Sequence, residues 1–408
     1  MTWPPVKYEE VEWHADLDRS SSRREQLRAR GPYTAAVPPF IAELSPSIPG
    51  PLAAEAADAQ AALTAFDARV GEISAPFAAI LLRTESASSS EIEKLTSGAK
   101  AIALAELGRR SGANAELIVA NVRAMQSALE LADDLSVDTA VAMQAALLQR
   151  HQPDLVGLRA QPVWIGGGLS NTPHSAEFVP PRHERVGDLM RDVMMFAKRT
   201  DLLVMPHLAL AHAQFETVHP FADGNGRTGR ALVQAMLRHH RVTRSITVPV
   251  SAGLLARTGD YFDALTAYRV GDIEPIIEQF IAATWRSIDN ADRLVTGLLQ
   301  LHMEWESRVD ARRGSGARRL LDLLASHPVI DVTRAAQLLG VAYTSAAAAI
   351  ERLEAVGVLT PLSEAARNRA WQATEVIELL DAFAARARRR WCAHPPTVLL
   401  NGGGQPTP

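Results

Sequence analysis

Two apolar stretches of helical period meet at a turn that neither helix could run through. Leu208, Ala211, Phe215 and Val218 share one face of LALAHAQFETV, and RALVQAMLRHH, opening at Arg230, is again helical and largely apolar. Between them stands HPFADGNGR, residues 219–227. Pro220 and Phe221 end the first helix, and Gly224, Asn225 and Gly226 let the backbone curl into the second. Two buried helices joined in this way commit the chain to a mainly α fold built around the turn.

The residue types in the turn share a chemistry. A curled backbone at a helix N-terminus aims unsatisfied N–H groups at one point, which favours an anion. Arg227 and Arg230 are three apart on one side of the second helix, so both reach the same phosphate chain. Asp223 is a hard oxygen ligand suited to Mg²⁺ shared with phosphates. His219 takes a proton near neutral pH. Base, metal ligand, phosphate cradle and charge clamps together point to phosphoryl or nucleotidyl transfer onto a hydroxyl. GNGRTG also fits the dinucleotide pattern G-x-G-x-x-G, but a helix precedes it where that fold needs a strand.

The 408 residues suffice for two or three domains. The expected division is an extended, proline-rich arm over 1–50, a helical region over 51–135, a core over 136–300, a winged helix over 301–390 and a disordered tail over 391–408. PVWIGGGLSNTPHSAEFVPP (162–181) reads as a β-hairpin, with His174 a surface-loop histidine. LLDLLASHPVIDVTRAAQLLG and the residues after it give helix, turn, helix, turn, helix and a β-like return. The single cysteine, Cys392, excludes a disulfide within one chain and fits a reducing cytoplasm. The acidic start lacks an apolar run and reads as no signal peptide, and no stretch of about 18 apolar residues predicts a membrane span. A net charge of -4 argues against generic nucleic-acid coating. His239 and His240 are adjacent, and His207 and His212 are five apart, so no pair has metal-ligand spacing.

HPFADGNGRTGR resembles the signature of the Fic family, H-P-F-x-[DE]-G-N-G-R-x-x-R, at every defined position. ALAHAQFETV before it, the PVWIGG and FVPP stretches and YTAAVPPFI are also similar to the longer Fic proteins, over residues from about 33 to about 385. The resemblance implies a helical core with a β-hairpin flap, an N-terminal helical region and a C-terminal winged helix. It implies transfer of AMP from ATP to a protein Ser, Thr or Tyr hydroxyl. His219 becomes the general base and Asp223 the Mg²⁺ ligand. Gly224, Asn225 and Gly226 become the anion hole, and Arg227 and Arg230 the phosphate clamps. Val163, Trp164 and Ile165 fall in the flap that aligns the target by strand addition. Tyr261 and Phe262 stand where relatives carry aromatics near the adenine, although core aromatics on a helix explain them equally well.

LLRTESASSSEIEKL (81–95) has a bland reading as a helix N-terminus, with Ser88 or Ser89 as the cap and Glu91 or Glu93 near N3. It also resembles the family's inhibitory helix [ST]-x-x-x-E-[GN], with Ser89 and Glu93 in the key places and the glutamate paired to Arg230. Lys94 departs from the expected Gly or Asn, a small residue read as leaving room near the site. Three functions follow for test: an AMP transferase held down by Glu93, the same site removing AMP, and a DNA-binding regulator using the winged helix. For the last, the recognition helix offers mainly Tyr343, Thr344, Ser345 and Arg352, with Arg367 and Arg369 in the wing, a sparse basic face. The partners implied are a target protein and no membrane, with self-modification and a homodimer left open.

Overall fold

The computed structural model describes residues 3–13, 31–73, 76–166, 172–363 and 368–389. The chain opens with two strands, β1 (Lys7–Val11) and β2 (Tyr33–Val37), paired antiparallel with Lys7 opposite Val37. The extended arm expected over 1–50 therefore contains a hairpin. Five-residue strands with their partners more than twenty positions apart leave little periodicity to read among the prolines. Ala36 N–H donates to the Val179 carbonyl at 3.0 Å. The Asp192 carboxylate accepts the Ile41 and Ala42 amides at 2.6 and 3.0 Å, which ties the arm to the core.

Ala- and Leu-rich sequence, strong in helix propensity, then forms α1 (Gly50–Gly71), α2 (Pro76–Ile92), α3 (Ala99–Glu106), α4 (Ala113–Glu130) and α5 (Val137–Leu148). Ser136 and Thr139 bond reciprocally to start α5 with a capping box. α2 runs unbroken through the three serines. They are interior, so the reading of Ser88 or Ser89 as a helix cap is overturned. Back-bonding explains how the helix tolerates them: Ser86 Oγ donates to the Leu82 carbonyl and Ser90 Oγ to that of Ser86, both at 2.8 Å.

The centre of the molecule is α6 (His183–Ala197), α7 (Val204–Val218), α8 (Asn225–His239), α9 (Val250–Leu255), α10 (Thr258–Arg269) and α11 (Glu274–Arg308). α7 packs against α1, α6, α8, α10 and α11 and is buried on every face from Met205 to Val218. Its apolar stripe predicts one buried face. The others are enclosed because their polar groups are satisfied internally: Gln214 Nε2 donates to the Pro39 carbonyl, and its Oε1 accepts the Tyr268 hydroxyl.

The 162–181 hairpin is reduced, among the described residues, to one bridge between Ile165 and Phe178. Pro162, Pro173, Pro180 and Pro181 remove the donors a longer ladder would need. Residues 167–171 lie outside the described residues.

α11 is 35 residues long and runs through position 300 towards the last elements. These are α12 (Gly316–Leu324), β3 (Val329–Ile330), α13 (Val332–Leu339), α14 (Tyr343–Ala355), β4 (Thr360–Pro361), β5 (Trp371–Gln372) and α15 (Thr374–Arg388). The strands form an antiparallel sheet in the order β3-β5-β4, with β3 standing between the first two helices, where only a turn was expected. α15 folds back onto α2, α3, α9 and α11. Arg367, Cys392 and the tail expected over 391–408 lie outside the described residues. No described helix is long and apolar enough to cross a membrane.

Candidate active site

The turn between α7 and α8 is fixed from three sides. His219 ends α7 in the left-handed region, at φ 49°. The Asn225 side chain closes the loop, accepting the Phe221 amide at 2.8 Å and donating to the Phe221 carbonyl at 2.9 Å. Buried Arg159 holds the loop from below: its Nε donates to the His219 carbonyl at 2.8 Å, and its Nη2 reaches the carbonyls of Pro181 and Val218. Gly224 has φ 84°, and a Cβ there would meet Leu147 Cδ2 at 2.8 Å, so both backbone and space demand glycine.

The anion site is shifted one residue along the chain from the Gly224, Asn225 and Gly226 that were expected. The Gly224 amide is already committed to Asp223 Oδ1 at 2.6 Å. The first helical bond of α8 runs from Thr228 N–H to the Gly224 carbonyl. The amides of Asn225, Gly226 and Arg227 are thus the open donors at the helix N-terminus, where the dipole favours negative charge. Asp223 also lies 3.4 Å from Arg227 Nη2.

The serine-rich helix meets this turn. Arg230 Nε donates to Ser89 Oγ at 2.9 Å, and Nη2 donates to the Ser89 carbonyl at 2.7 Å and to Glu93 Oε1 at 2.9 Å. A Cβ on Gly226 would come within 1.9 Å of Glu93 Oε1. The carboxylate therefore lies against Gly226 at the start of α8. Asn121 steadies this stretch of α2 by donating to the Ser86 carbonyl and to Ser90 Oγ. Glu93, Asp223 and Arg227 line one cavity of about 500 Å³, together with Leu95, His151 and Gln152.

Lys94, just past α2, has φ 63°. The Gly or Asn of the inhibitory pattern is thus a left-handed C-cap requirement, not the clearance first inferred. A lysine there adds strain of about 1 kcal/mol to the end of the helix.

Electrostatics follow the geometry. Burial pushes the His219 imidazole down to about 4, helped by the Arg159 charge. The ring is neutral at physiological pH and free to accept a proton. Burial raises the Glu93 carboxyl, but the charge and hydrogen bond of Arg230, with Arg227 and His219, outweigh it and hold it below the ordinary carboxylate value. Burial lowers Arg230, and Glu93 more than restores it.

The Fic/DOC family matches residues 134–237, the span that carries α5, the turn and α8. Over that span the chain is similar to the Fic/DOC family. Over 172 residues it is 29% identical to protein adenylyltransferase fic-1 of Caenorhabditis elegans, covering 39% of this chain and 31% of that protein. Over 133 residues it is 32% identical to protein adenylyltransferase Fic of Nematostella vectensis, covering 32% of this chain and 30% of that one. The matches span about a third of the length of these curated relatives. A crystal structure of a Fic family protein from Desulfovibrio desulfuricans G20 is similar in fold, with TM-score 0.50 and 18% identity over 81% of this chain and 98% of that one.

Of the other anticipated residues, Val163, Trp164 and Ile165 are extended and half-buried. The Ile165 amide donates to the Phe178 carbonyl at 2.8 Å, and Trp164 packs edge-on to Trp13 with ring centres 5.7 Å apart. Tyr261 is enclosed, its hydroxyl 2.7 Å from His212 Nε2, whereas Phe262 is exposed. Neither lines the cavity over the motif. His174 is half-buried, with Nε2 3.0 Å from the Gly31 carbonyl. His207 meets His240 at 3.2 Å, and His239 meets the Ala132 carbonyl at 3.0 Å. Arg369 is engaged by Glu354 and lies over the Trp371 ring.

Sequence reasoning missed Arg159, Asn121, Glu216 and Glu85, whose importance lies in partners far away along the chain. Glu216, buried beside Arg230, is pushed up to about 7 by burial. Glu85 accepts the amide and hydroxyl of Ser251 at 2.9 and 2.6 Å, and burial likewise pushes it up to about 7. A folded carboxyl raised from its ordinary value costs stability as pH rises, because the unfolded chain releases its proton first. The stability Glu85 retains at low pH should therefore decline between about pH 4.5 and 7. Glu85→Gln should flatten that decline by on the order of a few kcal/mol, as read by urea unfolding at pH 5 and pH 8. Identical pH profiles for the two proteins would count against an ionising Glu85.

Proposed function

We propose that this chain transfers AMP from ATP to a Ser, Thr or Tyr hydroxyl of a protein, and that α2 restrains it. The observation that carries the reading is the carboxylate of Glu93 lying against Gly226 at the start of α8 and paired with Arg230. An anion site occupied by the protein's own anion is one that an ATP phosphate would otherwise use. The curated relatives named as protein adenylyltransferases support the same direction.

In this reading His219 takes the proton from the acceptor hydroxyl. The hydroxyl oxygen attacks the α-phosphorus of ATP. The bond from that phosphorus to the oxygen bridging to the β-phosphate breaks, and pyrophosphate leaves. The Asn225, Gly226 and Arg227 amides and the Arg227 guanidinium stabilise charge developing on the phosphate oxygens. Arg230 joins them once Glu93 releases it. The extended 163–165 segment is the natural place for the target's backbone to pair.

Mg²⁺ fits the donor set. It usually binds through one or two carboxylates and keeps phosphates and waters as its other ligands. Asp223 offers one carboxylate, 42% exposed, on the wall of the cavity. The ion would be held there, offsetting charge on the leaving phosphates. Asp223→Ala should therefore weaken ATP binding in the presence of Mg²⁺ by on the order of tenfold, about 1.4 kcal/mol, and leave metal-free binding unchanged. Equal losses in both titrations would remove Asp223 from the metal.

The deciding experiment for the reaction class is intact mass after incubation with ATP and Mg²⁺. Addition of AMP to the chain or to a target protein is expected. Addition of phosphate alone, or loss of AMP from a pre-modified target with no addition under any condition, would overturn it.

A further inference from the structure

A second cavity, of about 270 Å³, lies where α2, α3 and α4 meet the C-terminal unit. Its polar wall is Arg83 of α2, Glu106 of α3, Arg123 of α4, His327 before β3 and Arg334 of α13. The remainder is largely aliphatic, from Leu82 to Val329.

The charges on this wall do not balance. Arg83 is only 7% exposed. Its Nε and Nη2 hold the two oxygens of Glu106 at 2.8 Å each, and Nη2 also donates to the Ser326 carbonyl at 2.6 Å. Its Nη1 is buried with no acceptor among the described residues. Arg123 and Arg334 form no ion pair with a carboxylate among the described residues. Three guanidiniums thus face one carboxylate across a single cavity. The buried Arg83 Nη1 is costly to leave without an acceptor, and an anion in the cavity would supply one. Burial and the charges of Arg334 and Arg83 push His327 down to about 4, so it is neutral and adds a donor without adding charge.

We propose that this cavity binds a small phosphorylated metabolite, its phosphate held by Arg83, Arg123 and Arg334 and its organic part lying on the aliphatic wall. A phosphomonoester near neutral pH carries close to two negative charges, which matches the surplus of guanidiniums over carboxylate. Its oxygens suit the planar forks of arginine. This binding is separate from the AMP transfer proposed above, and its test does not use activity.

The probe is inorganic phosphate, titrated by calorimetry against chloride at matched ionic strength. The wild-type chain, Arg123→Gln combined with Arg334→Gln, Arg123→Lys combined with Arg334→Lys, and Arg227→Gln are compared. Arg123 and Arg334 are half-buried without ion-pair partners, so the glutamine variant should fold, as checked by its melting temperature. Phosphate should bind the wild type and should bind the glutamine variant on the order of tenfold more weakly or worse. The lysine variant should recover part of the affinity. Arg227→Gln, which alters the anion site at the start of α8, should keep this binding. Absence of phosphate binding to the wild type, full binding by the glutamine variant, or loss confined to Arg227→Gln would each overturn the proposal.

Discussion

Replacing His219 by alanine is expected to lower AMP transfer by about 10²–10⁴-fold, the usual contribution of a positioned general base. ATP binding should persist, because the groups proposed to bind its phosphates belong to α8. The fold should persist too: the turn is held by Arg159 and by the Asn225 amide bonding Phe221, not by the imidazole. Alanine in the left-handed region costs about 1 kcal/mol, which is small beside the kinetic loss. With its pKa pushed down to about 4, His219 is already neutral throughout the physiological range. Its contribution to the rate should be flat from about pH 5 to 8 and should fall only as pH drops through 4. Transfer from radiolabelled ATP measures both effects. A variant as fast as wild type would leave His219 without a role in the chemistry.

Glu93→Gly is expected to raise self-modification or target modification by about 10–100-fold, corresponding to release of a coupling of about 1–3 kcal/mol. Arg230 is the reason. Its guanidinium is nearly enclosed and spends its donors on Ser89 and Glu93. Removing the carboxylate leaves a buried cation beside open amides, a site that then seeks a phosphate. The same removal clears the space over Gly226 that Glu93 fills. Combining Glu93→Gly with His219→Ala should return the signal to background, which separates true transfer from nonspecific labelling. If the site instead removes AMP with the help of Glu93, the single variant should lose that removal while it gains addition. An unchanged signal from a folded Glu93→Gly protein would sink the idea of restraint by α2.

The turn at 219–227 was legible because its chemistry is local. Proline, glycine and the flanking apolar periods fix where two helices end and begin within a dozen positions. The Ser89 and Glu93 approach to Arg230 could be anticipated only through resemblance, since 137 residues separate the glutamate from the arginine. Nothing local announced Arg159, whose guanidinium reads carbonyls about 60 residues away, or Asn121 beneath the serines. A lone arginine or asparagine carries no pattern; its partners exist only after folding. Lys94 was misread for a related reason. A preference for small residues looks like a demand for space, whereas the backbone shows it to be a demand on φ. The β1–β2 hairpin was hidden because its strands are short and its register is set across a long intervening segment.

α2 is built in two halves, and this has a thermal consequence. Its first turns bury Phe77, Ile80, Leu81 and Leu82, while the stretch that reaches the motif buries Thr84, Glu85, Ser86, Ser88, Ser89 and Ser90. Exposing apolar surface raises heat capacity by about 0.45 cal/K/mol per Å², and exposing polar surface lowers it by about 0.26. Lifting only the serine-bearing half would therefore uncover proportionally more polar surface than lifting the first turns, and so change the heat capacity less. The equilibrium between the seated and lifted helix would then follow a straighter van't Hoff line than melting of the whole domain. The uncovered face would also be one that water wets, so the open state could persist without drawing neighbouring molecules into aggregates.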